Sequence, residues 1–525
     1  MEGIPLEIDI SKLTLQQKIG QMFLVSFDGT ELSEETRAHF LQSCIGNYIY
    51  FAKNLLDYRS IRALSDSLQD VAKEICGLPA FISVDQEGGM VARVRTGSTH
   101  FPSGMAVTAS DIPLETVEYM GELVGEGLKN LGINLNHAPV ADVNNNPQNP
   151  VIGARAYSDD SKVVSEMVCA YVKGLQRSGV MANVKHFPGH GDTDLDSHID
   201  LPYINHDLEK LHCVELVPFK AAIACGSASI MSAHVVFKDI DKDYPATLSS
   251  KVIGELLRKD LGFGGLVISD CMSMEAIKKN YTTPRGCVLA INAGIDIICL
   301  NADIGTQIQC VNQVYEAVMS GEISMDTIDA ALMRIMEYKG KYICDNDTQP
   351  REVYPVHERV ADEISDKSIT LAKDNKDVLP LSGRSVFVIS TPPYRASIAN
   401  DDIYKARAFA KEASEALKAD YTVINRNPDE AEIAEALAKA ADHSIILYAV
   451  CNATHNLGQV RLFNALKAAG KIVVLITLGL PYDILLMDSA DAHIAAYEYT
   501  NRSVHSVLKT LVGEIEFTGR MPVRI

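Results

Sequence analysis

Along the first 340 or so positions, short apolar runs alternate with longer stretches in which apolar residues recur every three or four places. The runs are Met22–Ser26, Ile45–Phe51, Ala80–Val84, Ile133–Asn136, Val180–Val184, Ala228–Ser232, Gly265–Ser269 and Ile295–Leu300. Their length and composition predict strands. Stretches between them, such as "SIRALSDSLQDVAKEI" and "SKVVSEMVCAYVKGLQRSG", carry the helical period. Strands and helices in that count and alternation suit a (β/α)8 TIM barrel with loop insertions. A doubly wound sheet is the alternative for this region.

A barrel carries its chemistry just beyond the carboxyl ends of its strands. Asp85 follows one run, Lys185 and His186 another, His234 stands shortly after a third, and Asp270 follows a fourth. Polar residues at those places support the barrel and locate its site together. The helical stretch "SMDTIDAALMRIMEYKGKY" closes this first unit, residues 1–345, and the polar, proline-bearing "CDNDTQPREVYPVHE" opens a linker over 346–367. From 368 to 525 a second unit shows strand-like runs at Ser385–Ser390, Thr422–Asn425, Ser444–Val450, Ile472–Leu478 and His493–Tyr497, between alanine-rich helices. That pattern predicts a three-layer α/β/α sandwich. Its first run leads into "TPPYRA" with no glycine-rich phosphate loop, so nucleotide binding is not expected.

Composition narrows the classes further. A chain of 525 residues, 47% apolar and 22% charged, reads as globular, with two domains. Its formal charge of −20 is dispersed and no basic patch stands out, so neither nucleic acid nor an anionic membrane is an expected partner. The first residues lack the basic-then-apolar signature of a secretion signal, and no apolar stretch reaches membrane-spanning length. The eleven cysteines are scattered without a CxxC pair, as expected of reduced thiols in a cytoplasmic protein.

The segment "VKHFPGHGDTDLDSHID", residues 184–200, holds three histidines and four aspartates. Three chemistries compete for it. His186 and His190 have the i, i+4 spacing of zinc ligands on a helix, but the intervening Pro188 and Gly189 break the helix that spacing requires. A solvated acidic loop is the second possibility. The third is a proton donor, in which Asp196 accepts from one nitrogen of His198, fixing its tautomer and raising its affinity for a proton. Asp270, leaving the apolar "LVIS", is either a helix N-cap or a nucleophile. Asp85 with Arg93 across the Gly88-Gly89 turn, and Arg155 in "NPVIGARAYSDD", could bond sugar hydroxyls or form ordinary surface ion pairs.

Taken together these motifs resemble glycoside hydrolase family 3, in the β-N-acetylglucosaminidase branch typified by bacterial cell-wall-recycling enzymes. "KHFPGHGDTDLDSH" matches that branch's long signature throughout. "LTLQQKIGQMFLVSFDGT", "SVDQEGGMVARV", "APVADVNNNPQNPVIGAR", "ISDCMSM" and the closing "LVGEIEFTGRMPVRI" follow in the family's order, so the resemblance spans nearly the whole chain. It implies a barrel that carries the site, with Asp270 as nucleophile and His198, polarised by Asp196, as general acid/base. Asp85, Arg93, Arg155, Lys185 and His186 would hold a terminal N-acetylglucosamine in the −1 subsite. Other branches draw the acid/base from the second domain; here the loop supplies it, which leaves the C-terminal unit to a structural role. Two departures, Cys271 after the nucleophile and "RAYS" in place of R-S-F-S, are conservative.

The implied reaction is retaining hydrolysis of β-linked glycosides, such as muropeptide fragments in peptidoglycan recycling or chitooligosaccharides, with no cofactor and no metal. A histidine base is neutral when the second step begins and does not repel an anionic acceptor, so a phosphorylase using the same residues is one alternative. A metal-dependent hydrolase built on His186, His190 and the aspartates is another. Cleavage assisted by the substrate's acetamido group would need adjacent carboxylates, and no such pair stands at a suitable strand end.

Overall fold

The computed structural model describes residues 9–193, 196–197, 199–204, 208–343, 349–352, 354–393 and 408–525. Eight strands form the first sheet: β1 (Phe23–Val25), β2 (Asn47–Tyr50), β3 (Phe81–Val84), β4 (Leu135–Asn136), β5 (Met181–Phe187), β6 (Ser229–Ser232), β7 (Leu266–Ser269) and β8 (Ile298–Leu300). Each pairs in parallel with the next, and β8 returns to β1 in the register Phe23 to Ile298. A bridge from Ile268 to Ile297 closes the ring between β7 and β8. The result is a (β/α)8 barrel, not the doubly wound alternative. Seven of the eight runs read from the sequence contain one of its strands, and the eighth, Val180–Val184, covers only the start of β5, which continues to Phe187.

The helices form for local reasons that the sequence displays. Asp57 accepts from Arg59 N and Ser60 N to start the helix Tyr58–Cys76, and Gly77, with a positive φ of 76°, ends it. Ile61, Leu64, Leu68, Val71 and Ile75 make its buried face, spaced to lie along one stripe against the barrel. Comparable helices follow the other strands and share one large core with them.

The second unit is a six-stranded sheet. Its strands are β9 (Thr370–Asp374), β10 (Val386–Ser390), β11 (Asp420–Val423), β12 (Ile445–Val450), β13 (Ile472–Thr477) and β14 (Ala492–Ala495). They lie in the order β9-β14-β13-β12-β10-β11, parallel except for the antiparallel edge strand β9. Alternate residues of β10 and β12 face opposite cores: Val388 and Leu447 pack under the helices Phe409–Leu417 and Asn501–Val512, while Ile389 and Tyr448 pack under Glu430–Lys439 and Leu457–Ala468. This is the expected three-layer sandwich.

Two elements differ from the sequence expectation. Strand β9, "TLAKD", was not foreseen because it is a half-exposed edge strand without a run of β-branched residues. The stretch 346–367, read as a linker, ends in a helix, Pro355–Ser368, whose His357, Ala361 and Ile364 are buried. That helix joins the units: His357 meets Glu126 of the barrel, and Asp366 meets Lys509 of the sandwich. Further bonds cross directly, from Asn144 Nδ2 to Tyr482 Oη (2.8 Å) and from Ser158 Oγ to the Pro522 carbonyl (2.6 Å).

Candidate active site

A cavity of about 540 Å³ opens at the carboxyl ends of the barrel strands. Asp85, Arg93, Arg155, Lys185, His186 and Asp270 all line it, so six of the eight site residues implied by the resemblance converge there, and His190 lines it too. Asp196 is buried beside it without lining it, although its neighbour Ser197 does line it. His198 lies outside the described residues.

The cavity floor is an alternating lattice of charge. Asp85 leaves β3 into a short ribbon, Gln86–Gly88 paired with Val91–Ala92, turned by Gly88 and Gly89 at positive φ. Lys185 Nζ, pointing in from β5, donates to Asp85 Oδ1 (2.7 Å) and lies 2.6 Å from Glu87 Oε1. Arg155 grips Glu87 with two parallel bonds of 2.8 Å, while Arg93 approaches Asp85 at 4.0 Å. Burial works against every one of these charges, yet each is held by its opposites. Lys185 and Arg93 keep the Asp85 carboxyl well below its ordinary value, and Arg155 and Lys185 bring Glu87 down to about 2. Asp85 and Glu87 in turn raise Lys185, and Glu87 raises Arg155. The cluster is an ionised frame of mutually paired charges.

A pH dependence follows. Both carboxyls have folded values below their unfolded ones, near 4. Their stabilisation is therefore complete above that value and is lost as pH falls through the folded range. The stability difference between the native protein and Glu87→Gln should be largest above pH 5 and shrink towards pH 2. Urea midpoints across that range would check it; a difference independent of pH would contradict the ion-pair account.

The histidines are fixed by a second carboxylate. Asp142, just beyond β4, accepts from His186 Nδ1 (2.7 Å) and from the His190 backbone N (2.7 Å). His186 Nε2 faces Arg155 at 3.4 Å, so both of its ring nitrogens are engaged by protein. His190 bonds Thr193 Oγ1 through Nδ1 (2.8 Å) and Ser197 Oγ through Nε2 (3.0 Å). Thr193 gives its own hydrogen to the His190 carbonyl, so Nδ1 donates and Nε2 accepts from Ser197. Burial pushes His190 down to about 4, which keeps Nε2 able to accept. With their ring nitrogens committed in this way, neither histidine offers a ready metal ligand. Among the described residues, no group of three or more His, Cys, Asp and Glu could hold an ion.

Asp270 stands one residue past β7. No helix starts there: the next helix begins at Glu275 with Met274 as its N-cap, so the capping alternative for Asp270 falls away. Its backbone N bonds the Ser232 carbonyl (3.2 Å), and Oδ1 accepts from Cys271 N (2.7 Å). His234 does not line the cavity; it supports this turn from behind, through Nε2 to the Cys271 carbonyl (3.0 Å). Cys271 itself lines the cavity, with its thiol pushed up by burial.

Sequence reasoning missed Glu87, His137 and Asp142. Each follows or lies within a strand exit, "SVDQE" or "NHAPVAD", and that position was the available signal. His137, bonded to Ser83 Oγ (3.0 Å) and Asn183 (2.8 Å), is pushed by burial down to about 4 and forms a neutral wall of the cavity.

A closed parallel barrel whose carboxyl mouth holds paired carboxylates and cations around one pocket has the layout of a TIM-barrel enzyme. The chain belongs to glycosyl hydrolase family 3: residues 14–338 match the family's N-terminal domain. "Beta-hexosaminidase A" of Pseudoalteromonas piscicida is 34% identical over 381 residues, 67% of this chain and 63% of that protein's length. A "Beta-hexosaminidase" of Stenotrophomonas maltophilia is 33% identical over 282 residues, covering 53% of this chain and 82% of the relative. Among solved structures, a glycoside hydrolase family 3 β-N-acetylglucosaminidase from Paenibacillus sp. str. FPU-7 superposes with a TM-score of 0.91 at 34% identity, covering 98% of this chain and 99% of that one.

Proposed function

We propose that the chain is a retaining exo-β-N-acetylglucosaminidase acting on muropeptide fragments or chitooligosaccharides. The observation that carries this reading is the convergence of Asp270 with Asp85, Arg93, Arg155, Lys185 and His186 on one cavity at the barrel mouth. Its similarity to proteins named β-hexosaminidase and β-N-acetylglucosaminidase supports the aminosugar.

In the first step Asp270 attacks the anomeric carbon while His198 gives its proton to the departing glycosidic oxygen, leaving a covalent glycosyl-enzyme. The neutral His198 then takes a proton from water, whose oxygen displaces Asp270 and restores the β-configuration. Asp196 stabilises the imidazolium and sets its tautomer, as an aspartate does in hydrolytic triads. Asp85, Lys185 and Arg155 present ionised donors and acceptors to the sugar hydroxyls without reorganising.

The test is release of aryl alcohol from an aryl β-N-acetylglucosaminide in phosphate-free buffer with EDTA, then with phosphate added. Brisk cleavage without phosphate supports the hydrolase. Formation of N-acetylglucosamine 1-phosphate would make the enzyme a phosphorylase, loss of activity in EDTA would make it metal-dependent, and no cleavage would remove the aminosugar assignment. Within this reading, His198→Ala should slow an activated aryl glycoside by about tenfold and an alkyl or sugar aglycone by about 10³-fold, because only poor leaving groups need the proton. Equal losses on both substrates would take the acid role away from His198.

A further inference from the structure

We infer that Glu498, in the second unit, is a positioning residue for the barrel site, bracing from behind both the Asp85–Arg93 ribbon and the segment that carries Arg155. The inference rests on the reading of the barrel-mouth cavity as the sugar site. Behind that cavity lies a second one of about 160 Å³, lined by Met90, Ile152 and Arg155 from the barrel and by Asn452, Leu480 and Glu498 from the sandwich. Arg155 lines both. The wall bearing Arg155 is therefore not backed by continuous packed protein, and its position depends on discrete contacts across the unit boundary.

Glu498 supplies a buried polar contact at this place. It is 2% exposed, and its carboxylate accepts from the Ser103 backbone N (2.6 Å) and from Thr500 Oγ1 (2.7 Å). Ser103 leads directly into Gly104, where an added Cβ would fall 2.6 Å from the Arg155 carbonyl oxygen, so the two backbones touch. On the ribbon side, a Cβ at Gly89 would lie 2.5 Å from Ser103 Cβ and 2.8 Å from Glu498 Oε2. Gly89 N also bonds the Phe101 carbonyl (2.9 Å), tying the ribbon turn to the same strip of chain. One buried carboxylate thus locks the junction on which both halves of the charge lattice rest: Asp85, Glu87 and Arg93 on the ribbon, and Arg155 opposite. Leu480 adds an apolar contact, 3.0 Å from where a Gly153 Cβ would be. Desolvating a carboxylate is costly, and an apolar side chain would fill the space more cheaply. What the carboxylate adds is a directed acceptor for Ser103. Glu498 does not line the barrel-mouth cavity and takes no part in bond making.

The test compares Glu498→Ala, Glu498→Asp and Glu498→Gln with Tyr482→Phe, which removes a different hydrogen bond across the same boundary. Two measurements are made well below Tm: steady-state kinetics with an aryl β-N-acetylglucosaminide, alongside the dissociation constant for N-acetylglucosamine, and amide exchange over residues 86–94 and 150–156. Glu498→Ala, and the shortened but still charged Glu498→Asp, should raise KM and the sugar dissociation constant about tenfold and speed exchange in both segments about tenfold. Glu498→Gln, which keeps an oxygen at the same reach, should stay within about threefold of native. Tyr482→Phe should lower Tm alone. The inference is overturned if Glu498→Ala lowers Tm but leaves KM, sugar affinity and exchange within twofold of native. It is also overturned if Glu498→Gln falls as far as Glu498→Ala, since charge rather than bracing would then be at work. A native enzyme that fails to cleave the aryl substrate would instead refute the sugar-site reading, and the exchange data would still decide the bracing.

Discussion

Replacing Asp270 with Ala should lower turnover of an aryl β-N-acetylglucosaminide by on the order of 10⁵-fold, about 7 kcal/mol of transition-state stabilisation. The carboxylate is the group read as forming the bond to the anomeric carbon, so no later step can compensate for its loss. Folding should be almost untouched. Asp270 is half-buried at a strand exit and caps no helix, and its backbone bond to the Ser232 carbonyl does not depend on the side chain. Tm is therefore expected within about 2 °C of native, and the dissociation constant for N-acetylglucosamine within about threefold. The vacated space admits a small anion. Added azide should restore part of the activity on an activated substrate and yield the α-glycosyl azide, because it attacks from the face that Asp270 occupied. Retention of more than a few per cent of native activity would show that another group forms the bond.

Glu87→Ala should damage stability and activity together. Glu87 is the common partner of Arg155 and Lys185, at 2.8 and 2.6 Å. Lys185 keeps Asp85 after the substitution, but Arg155 loses its bidentate carboxylate and retains the Val151 carbonyl and His186. Leaving a buried guanidinium without its counter-charge costs about 3–5 kcal/mol. For a chain of this size that corresponds to a fall in Tm of about 3–5 °C. Arg155 and Lys185 also line the cavity, so a shift of about 1 Å in either should cost kcat/KM about 10²-fold on its own. Glu87→Gln keeps one acceptor for Arg155 and should fall between the two. Scanning calorimetry with steady-state kinetics checks both effects, and a Tm within 1 °C of native would mean that the lattice contributes nothing to stability.

Much of the architecture was legible along the chain. The barrel strands lie in short, mainly apolar runs bounded by turn residues, as buried parallel strands require, so most of the burial of β1 to β8 is written into local composition, the buried Asn183, Lys185 and His186 of β5 apart. The same holds for β10, β12 and β13 of the sandwich. Edge strand β9 and the helix Pro355–Ser368 were not legible in the same way. Both are largely polar, and both are held by partners far along the chain, Ala492 for Asp374 and Lys509 for Asp366.

The candidate site divides along a similar line. Residue types at strand exits pointed to Asp85, Lys185, His186 and Asp270 without any structure, because a parallel barrel delivers every strand's carboxyl end to one mouth. The pairing of those residues could not be read. Glu87 meets Arg155 across 68 positions, Asp142 meets His186 across 44, and Glu498 reaches Ser103 across 395. Whether Asp270 caps a helix or faces a cavity likewise depended on where the next helix began. By itself the sequence determined the elements, their order and the chemistry available at the strand ends, since period, turn residues and side-chain type act over a few positions. Only the tertiary structure decided which charges neutralise one another, which ring nitrogens are already taken and what supports Arg155 from behind. Those are contacts through space, and strands β3, β4 and β5 must first pair before Asp85, Asp142 and Lys185 come within bonding distance of their partners.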